Sequence, residues 1–292
     1  MNINISNYFH SQYYGYITMP GNPDAFTFLF DTGSAFTWLA STDCTNPHTN
    51  NLYKCDSTCT ITDKPQNISY FVGYVAGNIT YDDLTIGTLT ISQMSFLNVF
   101  DEKDRENMLT DGVVGFDLAS FYDPDELGIM YYLKNQSLIS KGVLGVYLSS
   151  TENDSTSEII LGGYNTNFTE SFEYSPTISN SSWSIAVNFY SIDSKNITVS
   201  GMTANINTAA SMTYVPLSFF EEYINQTVET VVYSNNNTCK LDTGLFYCYI
   251  SNENELSGFP KFQVKFLEKE YEIPIKQLVR VVKEGKLYIA IL

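Results

Sequence analysis

Apolar and polar residues alternate over short segments along most of this sequence. Residues 15–19 and 262–267 are examples, and glycine, asparagine and aspartate separate such segments. Alternation with a period of two residues is typical of half-buried β-strands, and the separating residues are those that favour turns. The pattern therefore predicts a mainly β protein.

Two segments depart from this alternation and predict short helices. Asp123 and Pro124 supply an N-cap and a first-turn proline, and apolar residues follow at helical spacing through residue 134. Ser218 and Glu221 have the spacing of a capping box and begin the second predicted helix. Because the two helices occupy comparable places in the two halves, the sequence suggests a loose internal duplication.

Length and composition allow a large core and exclude several functions. The 292 residues correspond to two domains of roughly 100–200 residues each or to one large domain. Hydrophobic residues make up 43% and aromatic residues 15%, which excludes wholesale disorder. The net charge of −17 has the wrong sign for binding nucleic acid or anionic lipid. The uncharged stretch 196–220 is too polar to span a membrane.

Cysteines and glycosylation sequences bear on the compartment. Five cysteines form two groups, Cys44, Cys55 and Cys59, then Cys239 and Cys248, without the CxxC pairs of a zinc site. We expect one disulfide within the first group, leaving one of its three cysteines free, and another between Cys239 and Cys248. Cysteines that form disulfides favour a secreted or a vacuolar, lysosomal-type protein. The N-terminus has no signal-peptide pattern, so we expect that segment to be absent or removed.

Asn-x-Ser/Thr sequences are frequent. They arise by chance in a chain rich in asparagine and serine, or they mark a glycoprotein, and both interpretations remain open. Their asparagines are Asn4, Asn67, Asn78, Asn135, Asn153, Asn167, Asn180, Asn196, Asn225 and Asn236.

The strongest candidate for chemistry is an aspartate at the end of an apolar strand. Residues 28–30 are Phe-Leu-Phe, and Asp31, Thr32, Gly33 and Ser34 follow directly. Glycine lets the backbone come close to the carboxylate, and Ser34 with backbone amides can hydrogen-bond it, which keeps a buried acid ionisable. An ordinary turn after a strand has the same residues, so the motif alone is weak evidence.

The surroundings of this motif resemble the pepsin-like aspartic endopeptidases. Residues 28–41 are similar to the first catalytic loop of that family, and residues 68–77 are similar to its flap, a hairpin over the cleft. Further similarity covers residues 8–17, 111–116, 138–149 and 159–163. The resemblance implies a mainly β, bilobal fold with few short helices, with lobes at 1–172 and 173–292 and a cleft between them.

The resemblance also assigns roles to residues at the flap. Tyr70 occupies the place of the flap tyrosine, followed by Phe71, Val72 and Gly73. We expect the Tyr70 hydroxyl to lie near the Trp38 indole, and these five residues to contact a substrate.

The family uses two aspartates, one from each lobe, as base and acid on either side of a water molecule. Asp31 supplies the first, but Asn207 stands at the position of the second, next to Thr208, which we place among the supporting residues. Ala209 and Ala210 replace the glycine and the Ser/Thr of the same family loop. A carboxamide cannot share a proton near neutral pH, so the catalytic pair is incomplete.

A second Asp-Thr-Gly sequence lies at Asp242 to Gly244. It follows Cys239-Lys240-Leu241 instead of an apolar strand, so we predict a hairpin turn there and no catalytic role. No Ile-Leu-Gly-Asp-like motif follows Val279, so we expect the second lobe either to lack the final segment of the family or to close in another way.

Three functions are compatible with these residues. The first is a homologue of the aspartic endopeptidases that binds peptides in its cleft with impaired or no hydrolysis. The second is an active acid endopeptidase in which Asp31 pairs with another group, such as Asp242 or a second chain. The third is a secreted binding glycoprotein with a vestigial cleft. We expect a monomer that binds a peptide or protein, with no cofactor, no metal, no nucleic acid and no membrane span.

Overall fold

A computed structural model gives the architecture of the chain. It describes residues 1–8, 11–121, 128–149, 156–168, 172–193, 195–197, 201–211, 213–227, 238–242, 245–249, 253–267, 269–274, 279–282 and 286–289. Strands dominate this part of the chain, as the alternating pattern predicts. No helix of the described residues is long and apolar enough to cross a membrane.

The N-terminal half is built on one large sheet and one small one. Its strands are β1 Asn2–Asn4, β2 Ser6–Tyr8, β3 Gln12–Thr18, β4 Phe26–Asp31, β5 Trp38–Ala40, β6 Thr60–Ser69, β7 Tyr74–Ile86, β8 Leu89–Lys103, β9 Gly112–Gly115, β10 Leu144–Tyr147 and β11 Glu158–Leu161. The eight-stranded sheet has the order β2-β3-β4-β9-β5-β8-β7-β6, and β1, β11 and β10 form the three-stranded sheet.

The C-terminal half contains shorter strands. They are β12 Ser184–Ala186, β13 Phe189–Ile192, β14 Lys195–Ile197, β15 Thr203–Asn205, β16 Thr238–Asp242, β17 Leu245–Tyr249, β18 Phe262–Phe266, β19 Lys269–Ile273, β20 Val279–Val282 and β21 Lys286–Ile289. A four-stranded sheet has the order β14-β13-β18-β19, and the other strands pair as β12-β15, β16-β17 and β20-β21.

Two α-helices accompany the strands in the described part. Helix α1 spans Ile129–Asn135 and helix α2 spans Leu217–Thr227. The second predicted helix is confirmed, but Ser218 lies inside it, one residue after its start, so the predicted capping box is wrong. The first predicted helix is confirmed from Ile129 onward, with Gly128 rather than Asp123 as its N-cap, and Asp123 and Pro124 lie outside the described residues.

Separate hydrophobic clusters support the two halves. Phe28, Phe96 and Leu133 belong to the N-terminal core, and Phe219 and Phe262 belong to the C-terminal core. Burying each large apolar side chain contributes roughly 1.5–3 kcal/mol before chain entropy is subtracted. Two such cores fit the predicted pair of lobes, and the boundary between residues 172 and 173 stays a prediction.

The register of β4 delivers Asp31 to the middle of the molecule. Phe26, Phe28 and Phe30 alternate inward along β4 and are each 1% exposed. Strand β4 pairs in parallel with β9, which places Asp31 opposite Gly115. A Cβ on Gly115 would lie 2.4 Å from the Ala35 carbonyl oxygen, so only glycine permits this packing.

The disulfide prediction is confirmed for the first cysteine group. Cys55 and Cys59 are bonded, with their Cα atoms 5.7 Å apart, and Cys44 is the free cysteine. Cys248 is also disulfide-bonded. The pairing of β16 with β17 places Cys239 directly opposite Cys248, where a bridge is expected.

Candidate functional site

The carboxylate of Asp31 is buried and held by the turn that follows β4. The side chain is part of a residue that is 6% exposed. The backbone N–H of Gly33 donates to Oδ1 at 2.7 Å, and the Ser34 hydroxyl donates to Oδ2 at 2.5 Å. Burial raises the pKa of Asp31, and the bonds from Ser34 and Gly33 oppose that rise. The carboxyl is thus a buried group that can still ionise.

Asn207 lies against the same turn from the C-terminal half. Its Oδ1 accepts the backbone N–H groups of Ala209 at 2.8 Å and Ala210 at 3.1 Å. Its Nδ2 lies 2.0 Å from the point that a Cβ on Gly33 would occupy. The glycine at position 33 is therefore what allows the two loops to meet.

Reciprocal threonine bonds join the two loops behind the carboxylate. The Thr32 N–H donates to Thr208 Oγ1 at 3.1 Å, and the Thr208 N–H donates to Thr32 Oγ1 at 3.0 Å. The Thr32 hydroxyl then donates to the Ile206 carbonyl, and the Thr208 hydroxyl to the Phe30 carbonyl. Each hydroxyl is both donor and acceptor, so the bonds fix the two loops relative to each other.

The flap residues form the tip of the hairpin between β6 and β7. The Tyr70 N–H donates to the Gly73 carbonyl at 3.0 Å, and Gly73 has φ +70°, a conformation that favours glycine. The Trp38 indole N–H donates to the Tyr70 hydroxyl at 2.6 Å, which confirms the predicted contact. Burial, together with the negative charge of Asp31, raises the pKa of Tyr70 to about 12. Tyr70 is therefore a neutral hydrogen-bonding group.

Two further contacts hold the flap, and the sequence analysis singled out neither. The guanidinium carbon of Arg105 lies 4.5 Å from the centre of the Tyr70 ring, and an Arg105 N–H donates to the Val72 carbonyl. On the other side, the Phe71 ring lies 6.0 Å from that of Tyr214. No spacing in the sequence relates Arg105 to Tyr70 or Phe71 to Tyr214, so neither contact could have been found from it.

A cavity of about 690 Å³ lies between the loops and the flap. Asp31, Gly33, Ser34, Tyr70, Phe71, Val72 and Asn207 of the predicted site line it, together with Gln12, Leu29, Ser69, Asp104, Arg105, Asn107, Met108, Val113, Ala209, Ala210, Ser211 and Tyr214. Thr32, Thr208 and Trp38 stand behind this lining and position it. Of the five residues expected to contact a substrate, Tyr70, Phe71 and Val72 line the cavity, whereas Gly73 is outside the lining and Trp38 is fully buried, so its expected contact with a substrate is wrong.

A buried ion pair lies behind the flap tyrosine and was not anticipated. His48 Nδ1 is 2.7 Å from Glu102 Oε1, and His48 Nε2 is 2.7 Å from the Thr110 carbonyl oxygen. Burial alone would lower the pKa of His48. The bonds to Glu102 and Thr110 and the charges of Glu102 and Asp111 outweigh burial and raise it. The His48 ring also lies 6.0 Å from the Trp38 ring, edge to face.

Asp117 lies outside this lining, and the charge of Asp31 contributes to its raised pKa. Its N–H donates to the Ser34 carbonyl at 2.9 Å. Burial raises the pKa of Asp117, backbone bonds from Leu118 and Trp183 lower it, and the charge of Asp31 raises it further. Asp117 does not line the cavity.

The second Asp-Thr-Gly sequence falls in a hairpin. Asp242 ends β16 and pairs with Leu245 at the start of β17. Thr243 and Gly244, between these strands, lie outside the described residues. Among the described residues, no group of three or more His, Cys, Asp or Glu side chains is placed to hold a metal ion.

Comparison with known proteins agrees with this arrangement. Residues 12–291 match the family model for eukaryotic aspartyl proteases. The chain is 31% identical over 205 residues to pregnancy-associated glycoprotein 1 of Bos taurus, covering 68% of this chain and 54% of that protein. It is 28% identical over 224 residues to pepsin A of Sus scrofa, covering 73% and 57%, respectively.

A third relative is cathepsin D of Dictyostelium discoideum, 27% identical over 216 residues, which cover 70% of this chain and 55% of that protein. The chain thus spans about half the length of these curated relatives. The predicted fold class, a mainly β, bilobal pepsin-like fold, is confirmed by the strands and the family match. The chain belongs to the eukaryotic aspartyl protease family.

Proposed function

We propose that this chain binds a peptide or protein segment in the cavity beneath the flap and hydrolyses it weakly or not at all. The observation that carries the proposal is that one carboxylate, Asp31, and one carboxamide, Asn207, line the same cavity from the two loops that meet at Gly33. Hydrolysis in this family requires an acid on each side of the water molecule.

The chemistry of the second loop supports impaired hydrolysis. Asp31 can act as a base on water, but the substrate carbonyl must receive a proton as its oxygen becomes negative. Asn207 has no acidic proton of suitable pKa, and Ala209 and Ala210 supply none. Catalysis by Asp31 alone leaves the developing charge unneutralised.

The remaining site residues have positioning and binding roles in this proposal. Thr32, Gly33, Ser34 and Thr208 hold the Asp31 carboxylate and the loop that faces it. The flap residues Tyr70, Phe71, Val72 and Gly73 cover a bound peptide, and Trp38 orients Tyr70 through its indole N–H.

One observation favours the alternative of a working acid endopeptidase. The Asp117 N–H donates to the Ser34 carbonyl at 2.9 Å, next to the loop that carries Asp31, and the pKa of Asp117 is raised mainly by burial and to a smaller extent by the charge of Asp31. An acid in electrostatic contact with Asp31 is a better candidate for a second proton donor than Asp242, which ends a strand of a separate hairpin. A rearrangement that brings Asp117 into the cavity would be needed.

Binding and turnover separate these functions. Titration calorimetry with a peptide analogue that carries a hydroxyl at the cleavage position should show binding by the unaltered chain and weaker binding by Asp31→Asn. Asp24→Asn, which changes an exposed acid, is the matched control. Absence of binding by the unaltered, folded chain would favour a binding glycoprotein with a vestigial cleft.

Turnover of a denatured protein is then measured at about pH 4, where family carboxyls share a proton. Turnover at background in the unaltered chain supports the proposal. Robust turnover that disappears in both Asp31→Asn and Asp117→Asn would establish the alternative.

The disulfide between Cys55 and Cys59 and the bonded Cys248 support a compartment that is oxidising, either secreted or vacuolar. Glycosylation, the monomeric state and the lobe boundary remain parts of the same proposal. Mass measurement of protein secreted by a eukaryotic host, before and after removal of N-linked glycans, tests the first of them.

A further inference from the structure

We propose that Asn207 is a self-modification site, at which water activated by Asp31 hydrolyses the Asn207 side-chain amide and leaves an aspartate at position 207. The reaction does not require a peptide in the cavity, so it is independent of the proposed function. Four features of the described residues support it.

The first feature is a pair of donors on the oxygen that would become negative. Ala209 N–H at 2.8 Å and Ala210 N–H at 3.1 Å both point to Asn207 Oδ1. Two backbone N–H groups on one carbonyl oxygen polarise it and stabilise the oxyanion formed when water adds to the carbon. A bound peptide carbonyl has no access to these two N–H groups, because Asn207 itself occupies them.

The second feature is a nearby base, the Asp31 carboxylate, which is hydrogen-bonded to Gly33, the residue that Asn207 lies against. Gly33 donates its N–H to the Asp31 carboxylate at 2.7 Å, and its Cα side faces the Asn207 amide. Asp31 and Asn207 also line the same cavity of about 690 Å³, which is large enough to hold water in contact with both side chains. Asp31 is therefore placed to take a proton from water that attacks Asn207 Cγ.

The third feature is the orientation of the leaving group. Within the described part of the chain, both hydrogen bonds of the Asn207 side chain are made by Oδ1. The amide nitrogen is turned instead toward Gly33, and hence toward the loop that carries Asp31. The nitrogen is thus placed to receive the proton that Asp31 has taken from water.

The reaction balances without any co-reactant. Water oxygen bonds to Cγ, one water proton passes to Asp31, and the carbonyl electrons move to Oδ1. The C–N bond then breaks as Asp31 returns its proton to the nitrogen, and ammonia leaves. The new carboxyl gives its remaining proton to ammonia, so amide and water become carboxylate and ammonium.

The fourth feature disfavours the common competing route. Asparagine usually loses its amide when the next backbone nitrogen attacks Cγ and forms a cyclic imide, which opens to a mixture of aspartate and isoaspartate. Here the next nitrogen is that of Thr208, and its N–H is held by Thr32 Oγ1 at 3.0 Å. Direct hydrolysis predicts aspartate as the product, without isoaspartate.

The test follows the amide at position 207 by peptide mapping and fragment mass analysis. The folded protein is incubated at about pH 6, above the ordinary pKa of an aspartate side chain. Asn205, exposed and two residues away, is the internal control in the same peptide. We expect conversion at position 207 to aspartate alone, with Asn205 unchanged over the same period.

Two comparisons isolate the role of the fold and of Asp31. Conversion at position 207 should be slower by on the order of 100-fold in Asp31→Asn, since a positioned base is lost. The unaltered chain unfolded in urea should also convert position 207 at the slower rate. This comparison keeps the test valid if Asp31→Asn folds poorly. Equal rates for positions 205 and 207, equal rates with and without Asp31, or isoaspartate in the product would each overturn the proposal.

Discussion

The two loops at the floor of the cavity, residues 31–34 and 207–210, share a hydrogen-bonding plan but differ in sequence at every position except the threonine. In the loop 31–34, two donors hold a carboxylate, and in the loop 207–210, two donors hold a carboxamide. Each loop places a threonine, Thr32 or Thr208, in the same reciprocal bonds. The comparison teaches that the scaffold for a pair of acids persists even though one acid is replaced.

The loops also differ in what supports them. Behind the loop 31–34 stand the fully buried Trp38 and the ion pair of His48 with Glu102, whose side chains are 2% and 1% exposed. Asn207 and its neighbour Ile206 are exposed. The first loop is therefore anchored in a core, whereas the second depends on its bonds to the first.

The largest effect is expected from the buried pair that supports the first loop. His48→Leu removes the charged partner of the buried Glu102 carboxylate and leaves it only the backbone N–H of residue 48, so it should lower the free energy of unfolding by about 3 kcal/mol. Thermal and urea unfolding measure the change. His10→Leu, a histidine elsewhere in the chain, is the control, and an equal loss in both variants would refute the anchoring role.

The same pair predicts a pH dependence. The pKa of His48 is raised in the folded state, so its stabilisation is complete below the ordinary value of 6.5. The stabilisation is lost as the pH rises through the raised value. Glu102→Gln should flatten this dependence, because a neutral imidazole can accept from the glutamine amide while Nε2–H still donates to Thr110. A slope unchanged in Glu102→Gln would contradict the assignment.

Restoring the second acid tests whether the missing group accounts for the difference between the loops. The triple variant Asn207→Asp, Ala209→Gly, Ala210→Thr should raise turnover of a denatured protein by on the order of 100-fold, since a general acid is regained. Asn207→Asp alone should recover much less, because Ala209 and Ala210 remain. The triple variant combined with Asp31→Asn must return to background.

The bonds between the loops should contribute a moderate amount of stability. Thr208→Val leaves the Thr32 N–H and the Phe30 carbonyl without their partners, at a cost of about 1–3 kcal/mol. Thr203→Val, on the exposed side of β15, is the matched control. Urea unfolding measures both, and equal effects would show that the second loop does not depend on the first.

The smallest expected effect is at the flap. Tyr70→Phe removes the acceptor of the Trp38 indole N–H and should cost about 1 kcal/mol. Tyr16→Phe, at a residue that is 56% exposed, is the control. Because Trp38 is fully buried, its fluorescence should report the loss, and an unchanged spectrum would argue against the bond.

Much of the floor could be predicted from the sequence because its determinants are local. An apolar strand that ends at Asp-Thr-Gly-Ser specifies where a carboxylate emerges, and Asn207 was found through the corresponding loop. The cysteine spacing predicted a disulfide within the first group, but it did not decide which two of Cys44, Cys55 and Cys59 are bonded.

The contacts of the flap and the buried pair of His48 with Glu102 could not be predicted, because the residues that meet are distant in the sequence. His48 and Glu102 are 54 residues apart, and neither belongs to a recognisable motif. Their contact depends on how β8 passes the loop after β5, which is decided by packing of the whole sheet. The same holds for Phe71 and Tyr214, which come from opposite halves.

The reciprocal threonine bonds join the two loops at the floor of the cavity into one rigid unit, whereas the flap is held by a few side-chain contacts. Arg105 holds the flap on one side, and Phe71 meets Tyr214 on the other. A molecule enclosed between the flap and the two loops leaves when the contacts of Arg105 and Tyr214 with the flap break. The residence time of that molecule is then set by the opening of the flap, however many contacts the molecule makes with the two loops.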